Sequence, residues 1–207
     1  MTRYPRNLAA AAVILPMLAL APAALAGPPT EQLTQNIQEV VRTLQDPDLK
    51  ASERANERRQ ALRAVTDNLF DWSEMAKRSL GRHWEERTGV ERAQFVKLLG
   101  DLLERSYMIS IERYGGERVS ILGDSTDGDL AIVRTRVAAG GGQGIPVDYR
   151  MLRTGQRWRA YDVVIEGVSL VSNYRTQFDK VIQTSSYEEL VKRLTIERVA
   201  SESGGAR

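Results

Sequence analysis

Few side chains in this sequence have the type and spacing needed for chemistry. His83 is the only histidine in 207 residues, and there is no cysteine. A zinc or similar site needs several imidazole or thiolate ligands close together, so His83, between Arg82 and Trp84, reads as a surface or capping residue. Ser169 lies in Gly167-Val168-Ser169-Leu170-Val171, which lacks the second glycine of a nucleophile elbow. It reads as a helix cap. The glycines from Gly140 to Gly144 are not followed by Lys-Ser/Thr, so they do not form a phosphate loop. Asp124, Asp127 and Asp129 depart from the spacing of a calcium loop and suit turns instead. That leaves Asp162. Strand alternation places it with Trp158, Ala160 and Val164 on an inward face, where a carboxylate needs a partner or a raised pKa. It could be a general base in an apolar cavity, with Tyr149 polarising a carbonyl as in small cavity isomerases. It could instead be structural, paired with an arginine such as Arg175 or accepting N–H groups where a helix starts at Ser169. The structural role is the expected one, so no catalytic residue, cofactor or metal is assigned.

The elements that position these groups follow from hydrophobic period. Thr30 opens a helix with Leu33, Ile37, Val40, Val41 and Leu44 on one face, which Asp46-Pro47-Asp48 breaks. A charged second helix, about 52–69, turns Ala55, Leu62, Val65 and Leu69 inward, and a short third one follows Asp71. Thr88 and Glu91 form a capping box for a long helix bearing Phe95, Leu98, Leu99, Leu102, Leu103 and Tyr107. The period then changes to two. Four strands are expected, at 118–123, 130–138, 144–153 and 156–165, with turns at Asp127-Gly128, Gly140-Gly141-Gly142 and Thr154-Gly155. Two helices close the chain, the last capped by Ser185 with Glu188. Turning Arg134, Arg136, Arg150, Arg157 and Arg159 to water puts Val119, Ile121, Val133, Val137, Ile145, Val147, Tyr149, Trp158 and Val164 inward. Val163 and Ile165 then fall on the other face. The fold class is α+β, an antiparallel four-stranded sheet with helices packed on one face.

The N-terminus reads as a secretory signal peptide, residues 1–26. Arg3 and Arg6 precede an apolar run of 13 residues, Leu8 to Leu20, and Ala24-Leu25-Ala26 fits a small-x-small cleavage site. A spanning helix needs about 20 apolar residues, and without cysteine no lipoprotein anchor can be attached. Residues 27–197 form one domain, and 198–207 are expected to be a disordered tail. The whole chain has 29 Lys and Arg against 27 Asp and Glu; without Arg3 and Arg6 the balance is 27 to 27. A near-zero charge gives no electrostatic case for nucleic acid.

Two motifs carry a family resemblance. One is the Trp158-led strand with Asp162, then Ile165-Glu166-Gly167-Val168-Ser169-Leu170, then Asn173-Tyr174-Arg175-Thr176-Gln177-Phe178. The other runs from Phe70-Asp71-Trp72 through Met75-Ala76 and Leu80-Gly81 to Trp84. Together they resemble the MlaC family, periplasmic carriers of the Mla phospholipid-transport system, over about 28–197. The resemblance implies an NTF2-like cone in which sheet and helices splay around a deep apolar pocket. It implies a soluble periplasmic shuttle for glycerophospholipid, with no catalysis. Its partners would be an inner-membrane Mla ABC transporter complex and an outer-membrane lipoprotein–porin complex. A hopanoid or other lipid cargo shares the motifs, and a plain interaction module with a closed core would share the periodicity. With that pocket, sidedness assigns Phe95, Leu99, Leu102, Leu103, Tyr107, Ile121, Val133, Val147, Tyr149, Val164, Val168 and Tyr174 to lipid binding. Asp71, Asp162, Gly167, Ser169 and Arg175 are assigned structural roles. A monomer is expected. At about 0.8 kcal/mol per buried methylene, two long acyl chains represent roughly 20 kcal/mol, so tails should dominate affinity and head-group selectivity should be loose.

Overall fold

A computed structural model describes residues 27–50, 52–112, 114–138, 142 and 144–204. The signal-peptide reading, residues 1–26, lies outside the described residues, as do Gly140 and Gly141 of the glycine turn. Four helices come first: α1 (Pro28–Gln45), α2 (Ala55–Leu69), α3 (Trp72–Leu80) and α4 (Gly89–Glu112). α1 starts before Thr30, because Pro28 and Pro29 occupy first-turn positions where a missing N–H costs nothing. The Thr88 box is formed at α4: Glu91 N–H donates to Thr88 Oγ1 at 3.3 Å and Thr88 N–H to Glu91 Oε2 at 2.7 Å. The Thr88 N–H and hydroxyl, both donating to Glu91 Oε2, hold that carboxyl below its usual pKa.

Five strands follow, in the spatial order β1 (Val119–Asp127), β2 (Leu130–Val137), β3 (Ile145–Thr154), β4 (Arg157–Ile165) and β5 (Val168–Ser169), each antiparallel to its neighbour. The α+β architecture matches the expectation, but among the described residues the strand count is five instead of four. The chain does not pass from β4 straight into a helix. Ile165 pairs with Val168, leaving Glu166 and Gly167 as a two-residue turn with φ of 51° and 84°. Two successive positive φ values match the twist of a hairpin, which is the demand Gly167 meets. α5 (Leu170–Thr184) and α6 (Tyr187–Gly204) complete the chain. Ser186, one residue later than expected, caps α6 by accepting from Glu189 N–H at 3.2 Å. Ser185 is taken up by the end of α5, where its N–H donates to Val181. α6 continues to Gly204, so the backbone over 198–204 is helical, not the disordered tail expected.

The decisive irregularity lies in β4. Ala160 pairs with Met151 and Asp162 with Arg150, so Tyr161 is an extra residue, a β-bulge. A bulge reverses the alternation beyond it. Trp158 and Ala160 face inward, and past Tyr161 the inward residues are Val163 and Ile165, opposite Tyr149 and Val147. Asp162 and Val164 are on the other face, the reverse of the sequence expectation for this half of the strand.

Apolar burial forms two clusters. One, among α3 to α6, contains Met75, Leu80, Phe95, Leu99, Phe178 and Leu190. The other joins α1 and α2 to the sheet through Leu33, Leu69, Val133, Met151, Trp158 and Ala160. Phe70 packs against both. No helix among the described residues is long and apolar enough to cross a membrane.

Candidate functional site

Between the sheet, α2 and α4 lies a cavity of about 310 Å³, at the lower end of the roughly 300–1,000 Å³ typical of small-molecule sites. Its floor is apolar: Val147 and Tyr149 from β3, Val163 and Ile165 from β4, and Leu170 from the start of α5. Phe70, Trp72 and Met75 close one end, and Val96, Gly100, Leu103 and Tyr107 form the α4 wall. The four α4 residues follow one stripe, at i, i+4, i+7 and i+11. Charged groups appear only where α2 and α4 contribute: Arg63, Asp67, Lys97 and Glu104. Arg63 spans the two helices, with Nη2 2.9 Å from Asp101 and Nη1 3.1 Å from Glu104. Its bond to Asp101, above all, raises its pKa further.

Of the twelve residues assigned to lipid binding, Leu103, Tyr107, Val147 and Tyr149 line this cavity. Phe95 and Leu99 do not. They are 0% and 1% exposed within the helical cluster, where Phe95 meets the Phe178 ring edge-on at 5.6 Å. They and half-buried Leu102 form the neighbouring stripe of α4, about 100° round the helix from the cavity stripe. Ile121 and Val133 pack in the α1–sheet cluster. Tyr174 stacks on Phe178, and the pKa of Tyr107 is raised chiefly by burial and further by the neighbouring Tyr174. Val164 is turned away by the bulge, and Val168 is 59% exposed on β5. Sequence reasoning missed Val163 and Ile165. Their alternation was visible, but its phase depends on Tyr161. Phe70, Trp72 and Met75 sat in a motif already noted for family resemblance, and Gly100 carried no apolar signal.

Tyr149 presents its hydroxyl in this apolar setting, and desolvation pushes its pKa up to about 12. No group among the described residues hydrogen-bonds it. Tyr149→Phe is therefore expected to change stability by less than about 0.5 kcal/mol and leave lipid retention intact, as read by thermal unfolding and lipid extraction.

Asp162 is 2% exposed and its oxygens are occupied. Ser169 O–H donates to Oδ2 at 2.6 Å, Arg150 Nη1 to Oδ2 at 3.1 Å, and Val171 N–H to Oδ1 at 3.1 Å. Ser169 Oγ accepts in turn from Ser172 N–H at 3.0 Å. The carboxylate thus ties β4 to the N-terminus of α5, where negative charge is favoured. Its arginine is Arg150, not Arg175. Arg175 is exposed and lays its aliphatic stem over Gly81, whose φ is +56° and where a Cβ would meet the Arg175 Cδ at 3.3 Å. Asp71 accepts from Glu74 N–H at 2.9 Å, capping α3, while its own N–H donates to Ala160 C=O at 2.9 Å. With Asp162 on the outer face and Tyr149 on the inner one, the pair needed for a cavity enzyme is not assembled. His83 is buried, with Nε2 2.7 Å from Asp179, which also accepts from Arg82 at 2.9 Å. The His83 bond and then Arg82 hold the Asp179 carboxyl below its usual pKa. Among the described residues no three His, Asp or Glu side chains are grouped to hold a metal.

An apolar floor with a charged rim on one side is the layout that holding an amphipathic molecule requires. The sequence model of a family described as "MlaC protein" matches residues 34–195, and the chain belongs to that family. A curated relative, the "Intermembrane phospholipid transport system binding protein MlaC" of Haemophilus influenzae, is 22% identical over 120 residues, 56% of each chain. The match thus spans just over half of that relative's length. A phospholipid-binding protein from Ralstonia solanacearum, solved in complex with a phospholipid, superposes with a TM-score of 0.70 at 24% identity, over 83% of this chain and 96% of that one. At that identity the likeness establishes the fold.

Proposed function

We propose that this chain is a periplasmic phospholipid carrier and not an enzyme. It holds acyl chains of a glycerophospholipid against the β3–β4 floor and carries them between membranes. The observation that supports this best is the cavity: its floor and α4 wall are built of apolar side chains, while its charges are confined to one rim. Family membership and the relatives' names point the same way. Residues 1–26 direct export and are removed, and the mature protein diffuses as a monomer. It exchanges cargo with an outer-membrane lipoprotein–porin complex and an inner-membrane Mla-type ABC transporter, which supplies the ATP hydrolysis, and so helps maintain outer-membrane lipid asymmetry. Native mass spectrometry of the purified mature protein, followed by solvent extraction, tests the reading. Near one-to-one phospholipid is the expected result; a lipid-free protein that also takes up no added phospholipid would rule it out.

A further inference from the structure

The polarity of the cavity is one-sided, and this orients any phospholipid it takes. β3, β4 and α5 contribute no charge to it, whereas α2 contributes Arg63 and Asp67 and α4 contributes Lys97 and Glu104. Tails therefore lie on the sheet and the head group meets the α2–α4 rim. That rim is already partly neutralised. The Arg63 guanidinium is shared between Asp101 and Glu104 at 2.9 and 3.1 Å. Asp67 accepts the Trp72 indole N–H through one oxygen, Oδ1, at 2.8 Å, and its second oxygen accepts no hydrogen bond among the described residues. Lys97 is exposed and makes no ion pair among the described residues. Two carboxylates, Asp67 and Glu104, and two cations, Arg63 and Lys97, line the rim, and the groups with spare capacity, Asp67 and Lys97, carry opposite signs.

We infer that this rim is a head-group site that favours zwitterionic phospholipids bearing a primary amine over anionic ones. Lys97 takes the phosphate, and Asp67 and Glu104 accept the ammonium, whose three N–H donors a trimethylated head group lacks. An anionic glycerol head group uses Lys97 but brings no cation to Asp67 and Glu104. The inference rests on the carrier reading and adds to it a ranking of cargo. The preference is about three- to tenfold, the size of one partly screened charge contact, and shrinks as salt shortens the screening length.

The test equilibrates the mature protein with vesicles of phosphatidylethanolamine and phosphatidylglycerol, equal in amount and identical in acyl chains. Bound lipid is then counted by mass spectrometry. The unaltered protein is expected to favour the ethanolamine lipid, Asp67→Asn and Glu104→Gln each to bring the ratio toward one, and Lys97→Met to lower uptake of both lipids with little change in ratio. Circular dichroism checks that each variant is folded. Equal uptake by the unaltered protein, or a ratio that neither carboxylate variant moves, overturns the head-group assignment and leaves the carrier standing. Uptake of neither lipid overturns the carrier reading itself.

Discussion

Asp162→Ala is expected to destabilise the protein by about 3 kcal/mol. Three donors converge on that carboxylate, from Ser169, Val171 and Arg150. Hydrogen bonds to a charged group contribute about 1.5–3 kcal/mol each, and donors left buried without an acceptor cost about 1–3 kcal/mol. The half-exposed Arg150 can turn to water, which limits the loss; Val171 N–H and the Ser169 hydroxyl cannot do so as freely. For a domain of this size the midpoint of thermal unfolding should fall by about 10 °C. Asp162→Asn should lose nearly as much, since its NH₂ group cannot accept from Ser169 or Arg150. Lipid retention should follow the folded fraction and nothing more. Asparagine variants that keep full stability in chemical denaturation yet lose lipid or an activity would return Asp162 to the functional site.

The largest expected effect on cargo comes from a glycine. Gly100 lines the cavity midway along α4, and a Cβ built there meets no atom within 4 Å. Its backbone is helical, so a larger residue is not strained. Gly100→Phe is expected to fill the cavity and lower phospholipid retention about five- to 150-fold, given that overpacking an occupied site costs about 1–3 kcal/mol. Stability should not fall, because glycine within a helix is about 1 kcal/mol worse than alanine. Gly100→Ala is the control: a small gain in stability with retention kept. Extraction of lipid from both variants, beside their unfolding midpoints, checks the pair. Unchanged lipid in the phenylalanine variant would place the cargo elsewhere.

Most of the layout was legible in the sequence, because helix and strand periods report which side of an element faces away from water. The stripe of α4, the Thr88 and Asp71 caps and the inward Val133, Val147 and Tyr149 follow from local chemistry in this way, whereas Ile145, expected inward, is 38% exposed at the start of β3. Of the twelve residues read as pocket-lining, four, Leu103, Tyr107, Val147 and Tyr149, line the cavity. Phe95 and Leu99, one stripe round α4, are equally apolar and lie in filled core. Periodicity measures distance from water, and a packed side chain and a cavity-lining one are alike in that respect.

By itself, the sequence determined the α+β class, the order of its helices and first four strands and the Ser169 helix start, since each depends on residues within a few positions of one another. Only the tertiary structure decided which way β4 faces beyond Tyr161. A bulge belongs to a pair of strands, set by how Met151 and Arg150 register against Ala160 and Asp162. That single extra residue moves Val163 and Ile165 to the cavity floor and sends Asp162 to the base of α5. A carboxylate that alternation alone assigns to the interior thereby becomes the anchor of a wall.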